Sequence, residues 1–365
     1  MIFWLVVLLG TTALMLAGII YLITRIKKTS IISKININSV KWLISVLILI
    51  LSVTITYFAL GYVNTILVVI VFTIFWIVSD VVVYIAFKSI NKNSKANISA
   101  VLSLIIALIY LISAYYTAHN VVETDYTICT EKDIDSIKIV QITDSHMGTT
   151  FDGEGFAKEI KKIEKCNPDI VLITGDYVDG SSKFEDIVVA TKALGNLKTK
   201  YGVYFCYGNH DRNFFEPASD YTIEGLVSEL DKNGIKILQD EVIDLPGGIT
   251  LVGREDASVE RMPISELIKN IDKERYIIDM NHQPNDYDNE EAAGVDLVLS
   301  GHTHGGQLFS IRNVGLWIGA NDKIYGKERR SGTDFIVSSG ISDWALDFKT
   351  GCLAEYVVIN IEHND

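Results

Sequence analysis

Acidic side chains are almost missing from the first third of this 365-residue chain. Residues 1–118 hold one, Asp80, against eight lysines and arginines. Cysteine is scarce as well. Cys129, Cys166, Cys206 and Cys352 show no CxxC pairing and no zinc-ribbon spacing, which argues against a sulfur-ligated zinc module. Cys166 and Cys206 lie in or beside apolar, strand-like runs and read as buried packing residues. Cys129 and Cys352 fall near the two ends of the later part of the chain. Adjacent strands could bring them together, but free thiols are the simpler reading.

The shortage of acid ends abruptly. Of 32 basic and 45 acidic residues in all, 24 basic and 44 acidic belong to residues 119–365, a net of −20. A surface of that sign repels polyanions, so nucleic acid is not an expected ligand unless bound metal reverses the field locally. The length suits about two domains. Composition divides them into an apolar, mildly basic region over 1–120 and a soluble domain over 121–365.

The first region has four apolar stretches, roughly Ile2–Thr24, Trp42–Val63, Ile66–Phe87 and Ile98–Ala118. Crossing a bilayer takes about 20 residues, so a four-helix transmembrane anchor is expected. Four such runs with one charge among them do not read as buried helices of a soluble protein. The first lacks a basic leader segment and is too long for a cleaved signal, so it reads as a retained helix. Positive charge sets the orientation. Five Lys/Arg lie between Arg25 and Lys41 and three between Lys88 and Lys95, while the expected turn at Gly61–Thr65 has none. Basic loops stay cytoplasmic. A multi-pass protein of the cell membrane is expected, with both ends and the soluble domain outside the cytoplasm. Asp80, beside Ser79, is the one acid inside a span. With no basic partner within the spans, a single polar helix contact is a simpler reading than an ion or proton site.

From residue 137 onward, apolar runs alternate with amphipathic ones. Ile137–Thr143, Asp169–Thr174, Val203–Tyr207, Ile249–Val252, Tyr276–Met280 and Asp296–Ser300 read as short buried strands. Leu353–Ile361 is the final strand and should return near Ile137. Gly155–Cys166, Phe184–Leu197, Tyr221–Asn233 and Ile264–Asp272 have helical spacing. The alternation predicts an α/β domain with a largely buried sheet flanked by helices.

Polar residues gather where these strands end: Asp144-Ser145-His146, Gly175-Asp176, Gly208-Asn209-His210-Asp211, Asn281-His282 and Gly301-His302-Thr303-His304-Gly305-Gly306. Ligands of open α/β sheets bind at the carboxyl ends of strands. A pair of divalent ions about 3.5–4 Å apart needs a bridging carboxylate with nitrogen and oxygen ligands on either side. Asp-x-His and His-x-His each set two ligands on one side of a short turn. Each motif alone is weak: Gly-Asp is common, and a lone histidine such as His282 is more often an ordinary core residue. Five in order, each directly after a strand, point to a metal centre.

This ordered set resembles the calcineurin-like metallophosphoesterases, over roughly residues 137–361. The run GHTHGGQ and the apolar first region look most like the transmembrane metallophosphoesterase subgroup, which also resembles a lipid-sugar pyrophosphatase lineage. The resemblance implies a sheet-sandwich fold and two divalent ions. Asp144, His146 and His304 would bind the first, Asp176 would bridge, and Asn209, His282 and His302 would complete the second. It implies in-line attack on phosphorus by a hydroxide held between the ions. His210 would contact the phosphoryl group or protonate the leaving oxygen, and Asp211 would orient His210 and favour its charged form. A His/Asp/Asn set without sulfur suits Mn, Fe or Zn, with Mn first.

Tyr177, Asp179, Arg212 and Asn213 follow the motifs and could touch substrate or equally be solvated loop residues. Arg254, Glu255 and Asp256 follow another strand end without a motif role. Trp317 and Trp344 could form an apolar rim or belong to the core or a membrane surface. His119 and His363 read as inert. Where relatives often carry a basic residue in a late glycine-rich segment, this chain offers Asp343, Asp347 and Lys349. The function expected is a membrane-anchored phosphoesterase acting on a phosphodiester, with lipid- or envelope-linked esters among the candidates. The alternative is a membrane sensor that binds metal and phosphate without turnover, which a degraded ligand set would favour. A transporter is disfavoured by the shortage of polar residues in the spans.

Overall fold

The computed structural model describes residues 2–212 and 219–364. The chain divides into two compact units, Met1–Ala114 and Tyr115–Asp365.

The first unit is helical: α1 (Ile2–Lys27), α2 (Ser30–Ser33), α3 (Asn38–Ala86) and most of α4 (Lys92–His119). Two of these, α3 and α4, are long and apolar enough to cross a membrane. The turn expected at Gly61–Thr65 is not a loop. The helix runs through it, broken only at Gly61 (φ 77°, ψ 178°), a conformation that glycine adopts without a steric cost. Leu49 and Val53 before the break and Phe72 and Trp76 after it line one cavity of about 310 Å³. A straight helix would set Leu49 and Trp76 roughly 40 Å apart, so the chain doubles back at Gly61. Asn64 Nδ2 donates to the Leu60 carbonyl (2.9 Å) and Thr65 Oγ1 to that of Gly61 (2.7 Å), covering carbonyls at the break.

Asp80 has a basic partner after all. The first helix continues to Lys27 and carries Arg25 into its last turn. There the guanidinium pairs with the Asp80 carboxylate, and Tyr21 donates to the other oxygen at 2.5 Å. Arg25 also reaches Ser99 Oγ on α4 (3.3 Å). The acid is a polar brace between helices, and its basic partner lies in a stretch that the sequence reads as a loop.

The second unit contains two six-stranded mixed sheets. The first runs β1 (Val122–Thr130), β12 (Glu355–His363), β2 (Ile137–Ile142), β3 (Ile170–Thr174), β4 (Gly202–Cys206), β5 (Ile235–Ile237). The second runs β10 (Gly326–Arg330), β11 (Thr333–Val337), β9 (Leu297–Ser300), β8 (Tyr276–Met280), β7 (Ile249–Gly253), β6 (Glu241–Leu245). Strands β2 to β5 are parallel, as are β7, β8, β9 and β11. Side chains alternate between faces. Ile139, Leu172 and Tyr204 of the first sheet share one core with Leu251, Ile278 and Leu299 of the second. Val140, Val171 and Phe205 face outward against α5 (Gly153–Ile163), α6 (Phe184–Gly195) and α7 (Ile223–Lys232). Burial on both faces explains why these strands read as continuous apolar runs.

The final strand returns as expected, with Ile361 opposite Ile137 in an antiparallel pair. The expected helix Ile264–Asp272 shrinks to Ile264–Leu267 (α8). Helix α9 (Tyr287–Ala293) and strands β1, β5, β6, β10 and β11 were not anticipated. All four cysteines are free. Cys129 sits opposite Glu362, while Cys352 precedes β12 and donates to the His304 carbonyl (3.1 Å). Cys206 is buried as expected, but Cys166 is only half-buried and donates to Glu123 (3.1 Å).

Candidate active site

The carboxyl ends of β2, β3, β4, β8 and β9 carry the polar motifs, and backbone hydrogen bonds tie their loops together. The Asp144 N–H donates to the Gly175 carbonyl (3.1 Å), that of His146 to Asp176 (3.1 Å), and that of Gly301 to His282 (2.9 Å). The turns are tight. Asp144, His146, Asp176, His302 and His304 all have positive φ, between 35° and 67°. Non-glycine residues reach that region at a cost of order 1–3 kcal/mol each, so the surrounding loops hold five candidate ligands in conformations they would not choose. Gly175 has no room for a side chain: a Cβ there would lie 2.6 Å from the Gly208 nitrogen and 2.7 Å from His282 Nδ1.

The side chains converge in two buried groups. Asp144, His146 and His304 form one, and Asp176, His282 and His302 the other, with candidate ligand atoms within 4.8 Å of one another in each. Asp176 Oδ2 lies 3.1 Å from His282 Nε2 and 3.6 Å from His146 Nε2, so one carboxylate faces both groups. His146 Nδ1 meets Asp179 Oδ2 at 3.0 Å, and His282 Nδ1 donates to the Thr174 carbonyl at 2.8 Å. Each ring is thereby oriented with Nε2 toward the centre. His146 Nε2, His282 Nε2, His304 Nδ1 and Asn209 Oδ1 are buried without a hydrogen-bond partner. Orphaned donors and acceptors of this kind are costly unless something else satisfies them. Metal ions fit: the set mixes imidazole nitrogen, carboxylate and amide oxygen, with no sulfur.

Electrostatics run the same way. Burial raises the Asp176 pKa, but the charges of His282 and His146 outweigh it and hold the carboxyl well below its usual range. Burial, then His282, lowers His302 to about 4, and burial, then His146, keeps His304 well below normal. His302 and His304 are thus in the neutral form that binds metal. Against the effect of burial, Asp179 raises His146 and Asp176 raises His282, so those two rings give up a proton to ligate a cation.

The decisive similarity is to an uncharacterised metallophosphoesterase of Aquifex aeolicus, 31% identical over 249 residues, covering 65% of this chain and 90% of that one. The chain belongs to the metallophosphoesterase family. The Calcineurin-like phosphoesterase family model matches residues 137–306. An uncharacterised metallophosphoesterase of Campylobacter jejuni is 29% identical over 272 residues, covering 72% of this chain and 69% of that one. A zebrafish relative named "Transmembrane protein with metallophosphoesterase domain" is 28% identical over 193 residues, 49% of this chain and 42% of that one. This metallophosphoesterase is accordingly a metal-dependent phosphoester hydrolase of a two-metal family, with its candidate metal-binding residues in place.

Several expectations change at close range. Asp211 is buried and makes no hydrogen bond to His210 among the described residues. Its carboxylate accepts the amides of Asp176 (2.8 Å), Tyr177 (2.8 Å), Val178 (3.1 Å) and Gly208 (2.7 Å). It staples the Gly175-Asp176 loop to the Gly208-Asn209 loop, and its oxygens are spent on that task. Tyr177 turns into the core, its hydroxyl 3.1 Å from Thr191. Arg212 stacks on the Tyr207 ring (4.1 Å) and pairs with Glu255. Arg254 is buried against Asp286 and Glu290, and Asp256 accepts from Gln283 (2.9 Å), so neither is free for substrate. Asn213 lies outside the described residues. His210 stands at the mouth, its ring 5.1 Å from that of His146 and 5.3 Å from that of Trp344. His119 contacts the Tyr115 carbonyl and stacks on the Tyr115 ring, and His363 contacts the Lys132 carbonyl.

The sequence undervalued Asp179. Its signal was visible as Gly-Asp-Tyr-Val-Asp, with the second acid three residues beyond Asp176. Asp179→Ala should weaken metal affinity by about 10–100-fold, measured by titrating metal-stripped protein and following turnover. Lys349 and Asp343 were read only as a departure from relatives. Lys349 is fully buried, donates to Asp343 (3.0 Å) and the Ser339 carbonyl (2.7 Å), and holds Asp343 3.6 Å from His304 Nδ1.

Behind His282, Asn281 Nδ2 donates to Glu290 (2.6 Å) and its oxygen accepts from Arg261 (2.8 Å). Burial, then the charge of Asp279, raises Glu290 from 4.5 to about 8. The folded chain therefore keeps a proton that the unfolded chain releases, and stability falls as pH rises through that interval. Glu290→Gln should flatten this slope, read as a smaller change in Tm between about pH 5 and pH 8.

Proposed function

We propose that this protein is a membrane-anchored phosphodiesterase with its catalytic domain, residues 121–365, outside the cytoplasm and residues 1–120 as a multi-pass anchor. Four spans are proposed: α1, the two arms of α3 and α4. The reversal at Gly61 and the lengths of α1 (26 residues) and α4 (28 residues) support this count. The basic loops support the orientation.

The observation that carries the catalytic reading is the single carboxylate of Asp176 facing two buried ligand groups. Asp144, His146 and His304 would hold one cation, and Asn209, His282 and His302 the other, with Asp176 shared. Bound there, a pair of cations, Mn first and Fe or Zn next, lowers the pKa of water and offsets charge on the phosphoryl oxygens. The chain's own contribution is placement. Asp179 and the Thr174 carbonyl fix the tautomers of His146 and His282, and Asp211 locks the two loops. His210 has its backbone N–H on Asp176 Oδ1 (2.8 Å) and its ring at the mouth. It would touch the phosphoryl group and hand a proton to the departing oxygen.

The test uses full-length protein in detergent, because Thr117 of the second unit accepts from Ala354 (3.2 Å) and bonds to the Lys349 carbonyl. Metal-stripped protein should be inert toward bis-p-nitrophenyl phosphate and p-nitrophenyl phosphate, and Mn²⁺ should restore turnover, faster on the diester. Faster monoester cleavage would overturn the diesterase reading. Metal binding without turnover on any ester would favour the sensor.

A further inference from the structure

Large hydrophobic side chains exposed in the second unit fall in few segments of the chain. Among the described residues, Met262 apart, they are Tyr115, Tyr116, Trp344, Leu353 and a run between Phe309 and Ile318. Phe309 is 73% exposed and Trp317 75%. Patches of this kind mark interaction sites rather than ordinary surface.

Hydrogen bonds join these segments. The amides of Thr350 and Gly351 donate to the Gln307 carbonyl (2.8 and 3.0 Å), and that of Phe309 to Thr350 Oγ1 (3.0 Å). Gln307 Nε2 donates to the Trp344 carbonyl (3.1 Å). Tyr115 packs edge-on against Phe348. The patch thus borders the last turn of α4, whose residues from Tyr115 onward belong to this unit. Its charge is distinctive too. From Gly301 to Asn321 there is no acid and one arginine, Arg312, in a domain with 44 acidic residues. Tryptophan is enriched at bilayer interfaces, and phenylalanine and leucine join it on the membrane-facing side of elements that lie in the interface.

We infer that the surface formed by Phe309, Ile311, Trp317 and Ile318 sits in the head-group layer of the bilayer. Trp344 connects it to His210, so the catalytic mouth opens onto phosphoesters borne by lipid. The inference rests on the membrane-anchored reading proposed above and adds a second contact and a substrate class to it.

Full-length protein carrying benzoylphenylalanine in place of Phe309 or Trp317 would be reconstituted in phosphatidylethanolamine–phosphatidylglycerol vesicles and irradiated. The control site is Glu266, 56% exposed on α8. Mass spectrometry should find phospholipid adducts at 309 and 317 and none at 266. Adducts to a second copy of the chain would overturn the proposal in favour of self-association, and equal labelling at all three sites, or none, would overturn it outright. Alkaline carbonate extraction separates the two levels. Release of the protein from vesicles defeats the anchored reading itself, whereas retention without lipid adducts defeats only the docking surface.

Discussion

Asp176→Ala should lower kcat/KM on bis-p-nitrophenyl phosphate by on the order of 10³-fold or more, equivalent to at least about 4 kcal/mol of transition-state stabilisation. The Asp176 carboxylate faces both groups of the site. One oxygen lies between His282 Nε2 (3.1 Å) and His146 Nε2 (3.6 Å), and the other accepts the His210 amide (2.8 Å). Removing it takes the proposed shared ligand from both groups and releases the loop that positions His210. Metal content by plasma mass spectrometry should fall alongside turnover. A variant with full metal content and activity within tenfold of wild type would falsify the shared-ligand assignment.

Asp211→Asn carries the second large effect, and it falls on stability rather than on chemistry. Four backbone amides point at this buried carboxylate. Burial, then the charge of Asp176, raises its pKa, and the amides of Gly208 and Val178 oppose that rise. An amide side chain offers one oxygen and an NH₂ group that confronts donors with donors. Leaving buried amides unpaired costs about 1–3 kcal/mol each. A loss of about 3 kcal/mol should lower Tm by roughly 6–12 °C for a domain of this size, measured by thermal unfolding in detergent. If Asp211 instead served to orient His210, Tm would hold and the acid limb of the pH–rate profile would move.

These predictions separate residues that look alike in sequence. Asp176, Asp179 and Asp211 are three acids in or beside Gly-Asp and Gly-Asn-His-Asp motifs. Only their partners distinguish a shared ligand candidate, a carboxylate that orients a histidine and a staple for backbone amides. The motifs themselves were legible because each candidate ligand follows directly on an apolar strand, so pattern and chemistry share one place in the chain. Edge strands were not legible. Strand β10 reads Gly-Lys-Glu-Arg-Arg, and an edge strand with solvent on one side has no apolar run to announce it.

The same division holds in the first unit. Apolar length announced the helices, but the Arg25–Asp80 pair joins residues 55 apart, and no local pattern records which turn of one helix meets which turn of another. The sequence by itself determined the two-part composition, the order of strands and helices around the motifs, and the residue types able to bind metal. These follow from local periodicity and side-chain chemistry. Only the tertiary structure decided that Asp176 faces both ligand groups, that Asp211 is consumed by amides, and that scattered apolar residues from 115 to 353 share one surface. Those are distances between segments far apart in the chain, set by how two sheets pack and how their loops hydrogen-bond.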